Sequence, residues 1–466
     1  MSQSTSTPTL AHTGTGADGV PMPQRIGAIL AIACGIMLAV LDASIVNVAL
    51  PTIADELHTS AGASIWIVSA YQLTITMALL SLSSLGDIIG YRKVYLAGLI
   101  LFTLMSINCA LSDSLLGLTL ARVLQGLGAA ALMSVNTALV RLIYPKSRLG
   151  RGMGLNALVV SVAAAAGPTV AAGVLAVASW QWLFAINVPI GILALVLGLR
   201  YLPGNCGAEN HRFDKISGLL NALTFGLFFI ALNGLAHHQP LWLTALELVG
   251  TLLVGLIFVR RQLSQPYPLL PVDLLRIPVF ALSIATSIAS FTAQMLAMVS
   301  VPFYLQRTMG LSEIETGLLL TPWPIATMLL APIAGRLIER FHAGLLGAIG
   351  LGVFALGLFG LASLPAQPSY LAICLCMFIS GAGFGLFQSP NNHTIISSAP
   401  RHRSGGASGM LGTARLVGQT TGAALVALSF NFLPTGGTHA CLITAGCFAS
   451  LAALVSSLRI RQPRPL

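Results

Sequence analysis

Four ionisable residues stand where ionisable residues are costly. Asp42, Arg122, Glu247 and Arg415 each interrupt an apolar run long enough to cross a bilayer. A charge at that depth costs several kcal/mol unless it is paired, so such residues mark ion or substrate pathways, proton relays or ties between helices. An aspartate can shed its charge by taking a proton, which coupling to a proton gradient requires. An arginine does not give up its proton, so it needs an anion or several carbonyl groups. Asp42 lies about 24 Å along the first run at 1.5 Å per residue, and two readings stand for it: a proton-coupling group, or a neutral acid bonded to a neighbouring helix. Arg122, just ahead of Gln125 and Gly126 in the fourth run, either modulates the protonation of an acid, Asp42 foremost, or ties helices through backbone carbonyls.

Composition dictates the elements that must position these residues. Only 8 % of the 466 residues are charged, 56 % are hydrophobic, and the mean hydropathy is +0.87. A soluble surface needs about 25–35 % charged residues, so a water-soluble globule is excluded, as are a disordered chain, a disulfide scaffold and a coiled coil. Backbone groups cannot stay unpaired in hydrocarbon, so only helices or closed barrels span it. The runs here are about 20 residues long without strict alternation, which fits helices. Fourteen such spans can be counted.

With the N-terminus placed in the cytoplasm, twenty of the 23 Lys and Arg fall in cytoplasmic segments and one, Arg307, in an outer loop. This is the positive-inside pattern; it supports an even helix number with both termini cytoplasmic. The net charge of +10 is then an orientation signal, and no nucleic-acid partner is expected. The first twenty residues are rich in Ser, Thr and Gly and lack a basic stretch leading into a short apolar core, so they read as a flexible tail and not a signal peptide. The seven cysteines form no disulfide framework and serve as small hydrophobes. No metal and no cofactor is expected. No phosphate-binding loop of the Gly-x-x-x-x-Gly-Lys-Ser/Thr type and no triad-like arrangement argues for ATP drive or an enzyme.

Residues 83–90 resemble 335–342 at an offset of 252, and Pro145-Lys146-Ser147-Arg148 resembles Pro400-Arg401-His402-Arg403 at 255, which sets Gly154 and Gly167 on Gly409 and Gly422. These matches argue for two parallel six-helix halves, 25–203 and 263–460. An inserted pair at 204–262 lies between them, with tails at 1–24 and 461–466. Parallel half-repeats are an architecture of secondary transporters, with the site near the midplane between halves.

Four local patterns carry a resemblance. They are Leu41-Asp42-Ala43-Ser44-Ile45-Val46-Asn47-Val48-Ala49-Leu50-Pro51, Gly86-Asp87-Ile88-Ile89-Gly90-Tyr91-Arg92-Lys93, Leu120-Ala121-Arg122-Val123-Leu124-Gln125-Gly126 and Gly167-Pro168-Thr169-Val170-Ala171-Ala172-Gly173. Each resembles a signature motif of the major facilitator superfamily. The fourteen spans and the first motif resemble its drug:proton antiporter branch. The resemblance implies an all-α integral membrane protein: two six-helix half-bundles plus an inserted helix pair, in a bacterial inner membrane. It implies proton coupling or cation recognition for Asp42 and proton transfer for Arg122. It makes Asp87, Gly90, Arg92 and Lys93 a cytoplasmic gate loop, with Glu339 and Arg340 as the degenerate counterpart. The Asp of that loop packs in the family near a helix N-terminus of the other half, here near Ser404, Gly405 and Gly406. Ser83, Ile88 and Tyr91 depart from the family's Gly, Arg or Lys, and Arg, which weakens such a latch. Gly167, Pro168 and Gly173 form a helix-kink motif that the family associates with antiport; Ala171 and Ala172 replace its usual paired glycines, so symport stays open.

The polar residues that can line a central cavity are Asn47, Tyr71, Gln72, Gln125, Asn136, Asn156, Gln294, Gln388, Asn391, Asn392, Arg415 and Gln419, with Asn136 and Asn391 related by the repeat. Trp66, Trp323, Phe291 and Phe387 either stack on a flat or cationic ligand or serve as core. Glu247 belongs to the peripheral inserted pair. The expected function is that of a monomeric secondary transporter. It would export amphipathic, cationic or neutral organic compounds in exchange for protons by rocking one half against the other. Proton-coupled uptake of a specific small metabolite is the alternative on the same fold; a non-transporting receptor or channel-like protein is the alternative from another class. The expected partners are a small-molecule substrate, protons and the lipid bilayer.

Overall fold

The computed structural model describes residues 19–145, 149–204, 213–236, 239–265, 268–338, 340–365, 367–399, 404–433 and 436–461. Residues 1–18 and 462–466 of the expected tails, and Glu339 of the counterpart gate loop, lie outside the described residues. The described chain is helical, with no β-strand among the described residues. Fourteen helical passages follow one another: α1 Met22–Glu56, α2 Ala61–Ile89, α3 Tyr91–Ala110, α4 Leu115–Ile143, α5 Leu149–Leu175, α6 Trp182–Tyr201, α7 Lys215–Ala236, α8 Leu241–Ser264, α9 Pro278–Thr308, α10 Glu313–Leu337, α11 Ala343–Ala362, α12 Tyr370–Ser398, α13 Ser404–Phe432 and α14 Gly437–Leu458. Eleven of them are long and apolar enough to cross a membrane by length and composition. The end of the bundle where α1 begins and α14 stops is here named the near end, the opposite one the far end.

Local chemistry sets the ends. Ser60, Ser114, Ser312 and Ser369 start α2, α4, α10 and α12 at the far end, each accepting the backbone N–H three residues on. That satisfies a donor which a helix start leaves orphaned. Gly90 divides α2 from α3 at φ +101°, a conformation that favours glycine. α1 begins at Met22, inside the expected 1–24 tail. Pro23 needs no donor in a first turn, and the Val20 N–H is bonded to the Ile143 carbonyl at the end of α4 (3.1 Å).

Packing repeats with the sequence. In the first half α1 packs on α5 and α6, α2 and α3 on α4, and α3 on α6. In the second, α9 packs on α13 and α14, α10 and α11 on α12, and α11 on α14. Glycines make the closest crossings at corresponding places. A Cβ on Gly128 would strike the backbone of Gly98 and Phe102 on α3, and one on Gly383 the backbone of Gly350 and Phe354 on α11. The halves meet at two seams, α2 against α13 and α5 against α10, with α1 against α9 between them. α7 packs on both α2 and α13, so it lies over the first seam. α8 packs on α7 and touches the turn at Val272–Arg276, and most of the rest of it is exposed among the described residues.

Candidate functional site

Asp42 stands about 30 Å from Met22 and about 21 Å from Glu56 along α1 at 1.5 Å per residue, and it is 1 % exposed. Its carboxylate is clamped by three donors. Oδ2 accepts from Arg122 Nη1, and Oδ1 accepts from Gln125 Nε2 (3.0 Å) and Asn187 Nδ2 (2.8 Å). Arg122 is fully buried. Its Nη1 also donates to Gln125 Oε1 (2.7 Å) and its Nε to the Ile67 carbonyl (3.1 Å). The guanidinium lies 3.9 Å over the Tyr71 ring and 5.7 Å from that of Phe184. Tyr71 is in turn fixed by donating its hydroxyl to the Ala39 carbonyl (3.1 Å). Gln125 is oriented by Ser106 Oγ (2.9 Å) and the Cys109 thiol (3.5 Å). Five passages, α1, α2, α3, α4 and α6, thus converge on one ion pair.

Chemically the arrangement holds one negative and one positive charge in mutual neutrality, away from water. Were Arg122 to leave Oδ2, both the carboxylate and the guanidinium would need another partner.

Tyr71 and Gln125, expected among the cavity-lining residues, here stand against the ion pair. Asn187, Ser106 and Cys109 were not singled out. Their only signal was a lone polar residue in an apolar run. Gln72 is buried, Asn47 is half-buried with Oδ1 unpaired among the described residues, and Asn136 donates to Asn156 (2.9 Å). Gln294, Gln388, Asn392 and Gln419 are half-buried.

The structure corrects several cavity assignments. Asn391 is spent inside the second half. It donates to Ser287 Oγ (2.7 Å) and the Ser283 carbonyl (3.3 Å) and accepts from Arg459 Nη1 (2.6 Å). Arg459, counted in the sequence as a surface topology charge, is 1 % exposed and also donates to Ser283 Oγ (2.9 Å) and Ser456 Oγ (2.5 Å). Trp323, Phe291 and Phe387 are buried core, whereas Trp66 is half-buried. Trp323 meets Phe354 edge-on (5.3 Å), Phe384 meets both Phe354 (5.6 Å) and Phe291 (5.4 Å), Phe387 meets Phe384 (6.0 Å), and Trp66 packs on Phe229 of α7 (5.0 Å). Glu247 sits in the inserted pair and accepts from Gln239 (2.7 Å).

In the loop between α2 and α3, Asp87 is held within its own turn. It accepts from the Tyr91 hydroxyl (2.6 Å), while Arg92 donates to the Leu199 carbonyl (2.5 Å) and Lys93 is exposed. Tyr91, one of the three residues that depart from the family pattern, is the one that engages the acid. Arg340 is exposed. In α5, Gly167 lies against the Ser44 side chain of α1, the Pro168 carbonyl approaches Gly317 of α10, and Gly173 faces open space.

Polar contacts between the halves gather at the far end. Arg307 Nη2 donates to Asp55 (2.6 Å), Thr52 to Glu313 (3.0 Å) and Gln306 to the Val48 carbonyl (2.9 Å), and Thr169 pairs with Thr321 (2.9 Å). Thr76 and Thr420 (3.3 Å) meet nearer the middle.

Two pseudo-symmetric six-helix halves, with an ion pair buried deep in one of them, define a membrane transporter rather than an enzyme. The chain belongs to the Major Facilitator Superfamily, whose family model matches residues 32–423. It is 64 % identical over 449 residues to the uncharacterised transporter YebQ of Escherichia coli, covering 96 % of this chain and 98 % of that one. It is 30 % identical to the riboflavin transporter RibZ of Clostridioides difficile (88 % and 89 % covered). It is 33 % identical to the multidrug resistance protein Stp of Mycobacterium tuberculosis (85 % and 74 % covered).

Proposed function

We propose that the protein exports amphipathic organic compounds across the bacterial inner membrane in exchange for protons, as a monomer with both termini cytoplasmic. The observation that carries this reading is the buried Asp42–Arg122 pair, with Gln125 and Asn187 completing the clamp. A group that can change charge at that depth, held by a cation that cannot, is a proton-coupling device. The near end is assigned to the cytoplasm because the positive charges cluster there in the sequence. The far-end contacts then close the outer side in the state described. Rocking about the seams would break them, open the far end and let Asp42 take a proton; the return would release it inward. Substrate must bind one orientation more tightly than the other for net movement to follow. The likeness to a multidrug resistance protein supports export. The likeness to a riboflavin transporter keeps a specific metabolite as the second reading.

The test uses purified protein in vesicles with an imposed pH gradient. Proton flux that rises with an amphipathic substrate and is lost in Asp42→Asn supports the proposal. Flux identical in wild type and Asp42→Asn overturns it. Cells that accumulate the substrate, rather than excluding it, would favour uptake.

A further inference from the structure

A third guanidinium lies in the membrane interior, and its surroundings differ from those of the other two. Arg415 is about 16 Å from Ser404 and about 25 Å from Phe432 along α13 at 1.5 Å per residue. One face of α13 meets α2: Gly409 and Gly412 approach Leu80 and Leu79, and Thr420 pairs with Thr76. Another meets α9, with Gly418 against Phe291 and Gly422 against Met295. At about 100° per residue, Arg415 and Gln419 fall one turn apart on a stripe between these two faces. Tyr71, which carries Arg122 on its ring, also lies within electrostatic reach of Arg415. Arg415 therefore lies toward the middle of the molecule beside the first seam.

The charges around that point do not cancel. Arg122 is neutralised by Asp42, and Arg459 is held by three oxygen acceptors. Each of the three guanidiniums has one buried nitrogen without an acceptor (Arg122 Nη2, Arg459 Nε, Arg415 Nε), but of the three Arg415 alone makes no hydrogen bond or ion pair among the described residues. The acids available to it are already engaged or remote. Asp42 is taken, and Glu247 is bonded to Gln239 beside α8. The other described acids stand at helix ends or in connections. An arginine stays charged, so the middle of the molecule keeps one positive charge uncompensated by the protein.

We propose that the transported compound carries an anionic group, such as a carboxylate, and that Arg415 is its binding partner, with Gln419 beside it. This rests on the transport reading above and replaces the cationic or neutral substrate expected from the sequence with an amphipathic organic anion. A cation entering this space would meet net repulsion, whereas an anion supplies the charge that Arg415 lacks.

The test is binding to the purified full-length protein, with no gradient imposed, of three probes on one ring system: 2-naphthoate, 2-naphthamide and 2-naphthylmethylammonium. The naphthoate alone is expected to raise the melting temperature. Arg415→Gln is expected to weaken its binding about ten- to a hundredfold, the range of a charge-assisted hydrogen bond, while Arg415→Lys retains most of it. Without probe, Arg415→Gln is expected to melt no lower than wild type, because an unpaired interior charge has been removed. Equal or better binding of the amide or the ammonium by wild type overturns the proposal, as does no binding of naphthoate or unchanged naphthoate binding in Arg415→Gln. The wild-type comparison decides even if the Gln variant fails to fold. Naphthoate binding that persists where Asp42→Asn shows no effect on proton flux would separate the two readings, sinking the coupling and keeping the anion site.

Discussion

At the level of single residues, the centre of the first half is a clamp rather than a bare salt bridge. Asp42 takes one bond from Arg122 and one each from the amides of Gln125 and Asn187. Removing one member of a buried pair strands the other, at about 3–5 kcal/mol. Arg122→Gln should therefore lower the melting temperature more than the double variant Asp42→Asn/Arg122→Gln does. A double-mutant cycle in detergent measures that coupling, and additive effects would mean that the pair contributes nothing. The pair itself was legible in the sequence, because type and depth alone make both residues anomalous. The second amide was not. Asn187 reaches Asp42 only because α6 packs on α1, and no spacing along the chain reveals that. Arg459 misled for the converse reason: its place at a helix end resembled a surface charge, and only the packing of α14 against α9 and α11 buries it.

At the level of the helix, glycines distinguish crossings from spacers. Gly167 and Gly173 belong to one motif, yet a Cβ on the first collides with Ser44 while one on the second meets nothing. Gly167→Ala should cost about 1–3 kcal/mol through overpacking. Gly173→Ala should be neutral or gain up to about 1 kcal/mol; thermal melts of the two variants compare them directly. The fourteen passages and their order were readable from apolar runs. The pairing inside the gate loop was not, since it turns on Tyr91 swinging back to Asp87. The inserted pair is tied at the near end by a polar cluster. Asp214 accepts from Arg261 Nη2 (3.0 Å) and from Ser217 Oγ (2.6 Å). Burial acts to raise the Asp214 carboxyl, but the bonds from Ser217 and Arg261 and the Arg261 charge outweigh it and hold it below its ordinary value. A lowered folded-state value gives stability that is complete above the unfolded value of about 4 and is lost as pH falls through the folded one. The two side chains are 32 % and 30 % exposed, so the contribution is about 1 kcal/mol or less. Melting curves of wild type and Asp214→Asn should differ at pH 7 and converge below about pH 4.

At the level of the whole molecule, the repeat is the organising fact. Contacts in the two halves correspond helix for helix, and the halves close on one another at the far end. Arg307 and Asp55 join across that closure with side chains 38 % and 68 % exposed, so the pair is worth about 0–1 kcal/mol. Arg307→Gln should raise the labelling of a cysteine placed at Thr52 by about fivefold at most, and a larger change would mean that this pair dominates the closure. The repeat was legible from two short matches and a pair of glycines. The flank on which the inserted pair breaks its symmetry was not. Of the two seams between the halves, α2 with α13 lies under α7, whereas α5 with α10 has no such cover among the described residues. For a solute dissolved among the acyl chains, the two flanks of the molecule would therefore not be equivalent doorways. Sideways entry from the leaflet would be barred by an additional helix on one flank and left to the other.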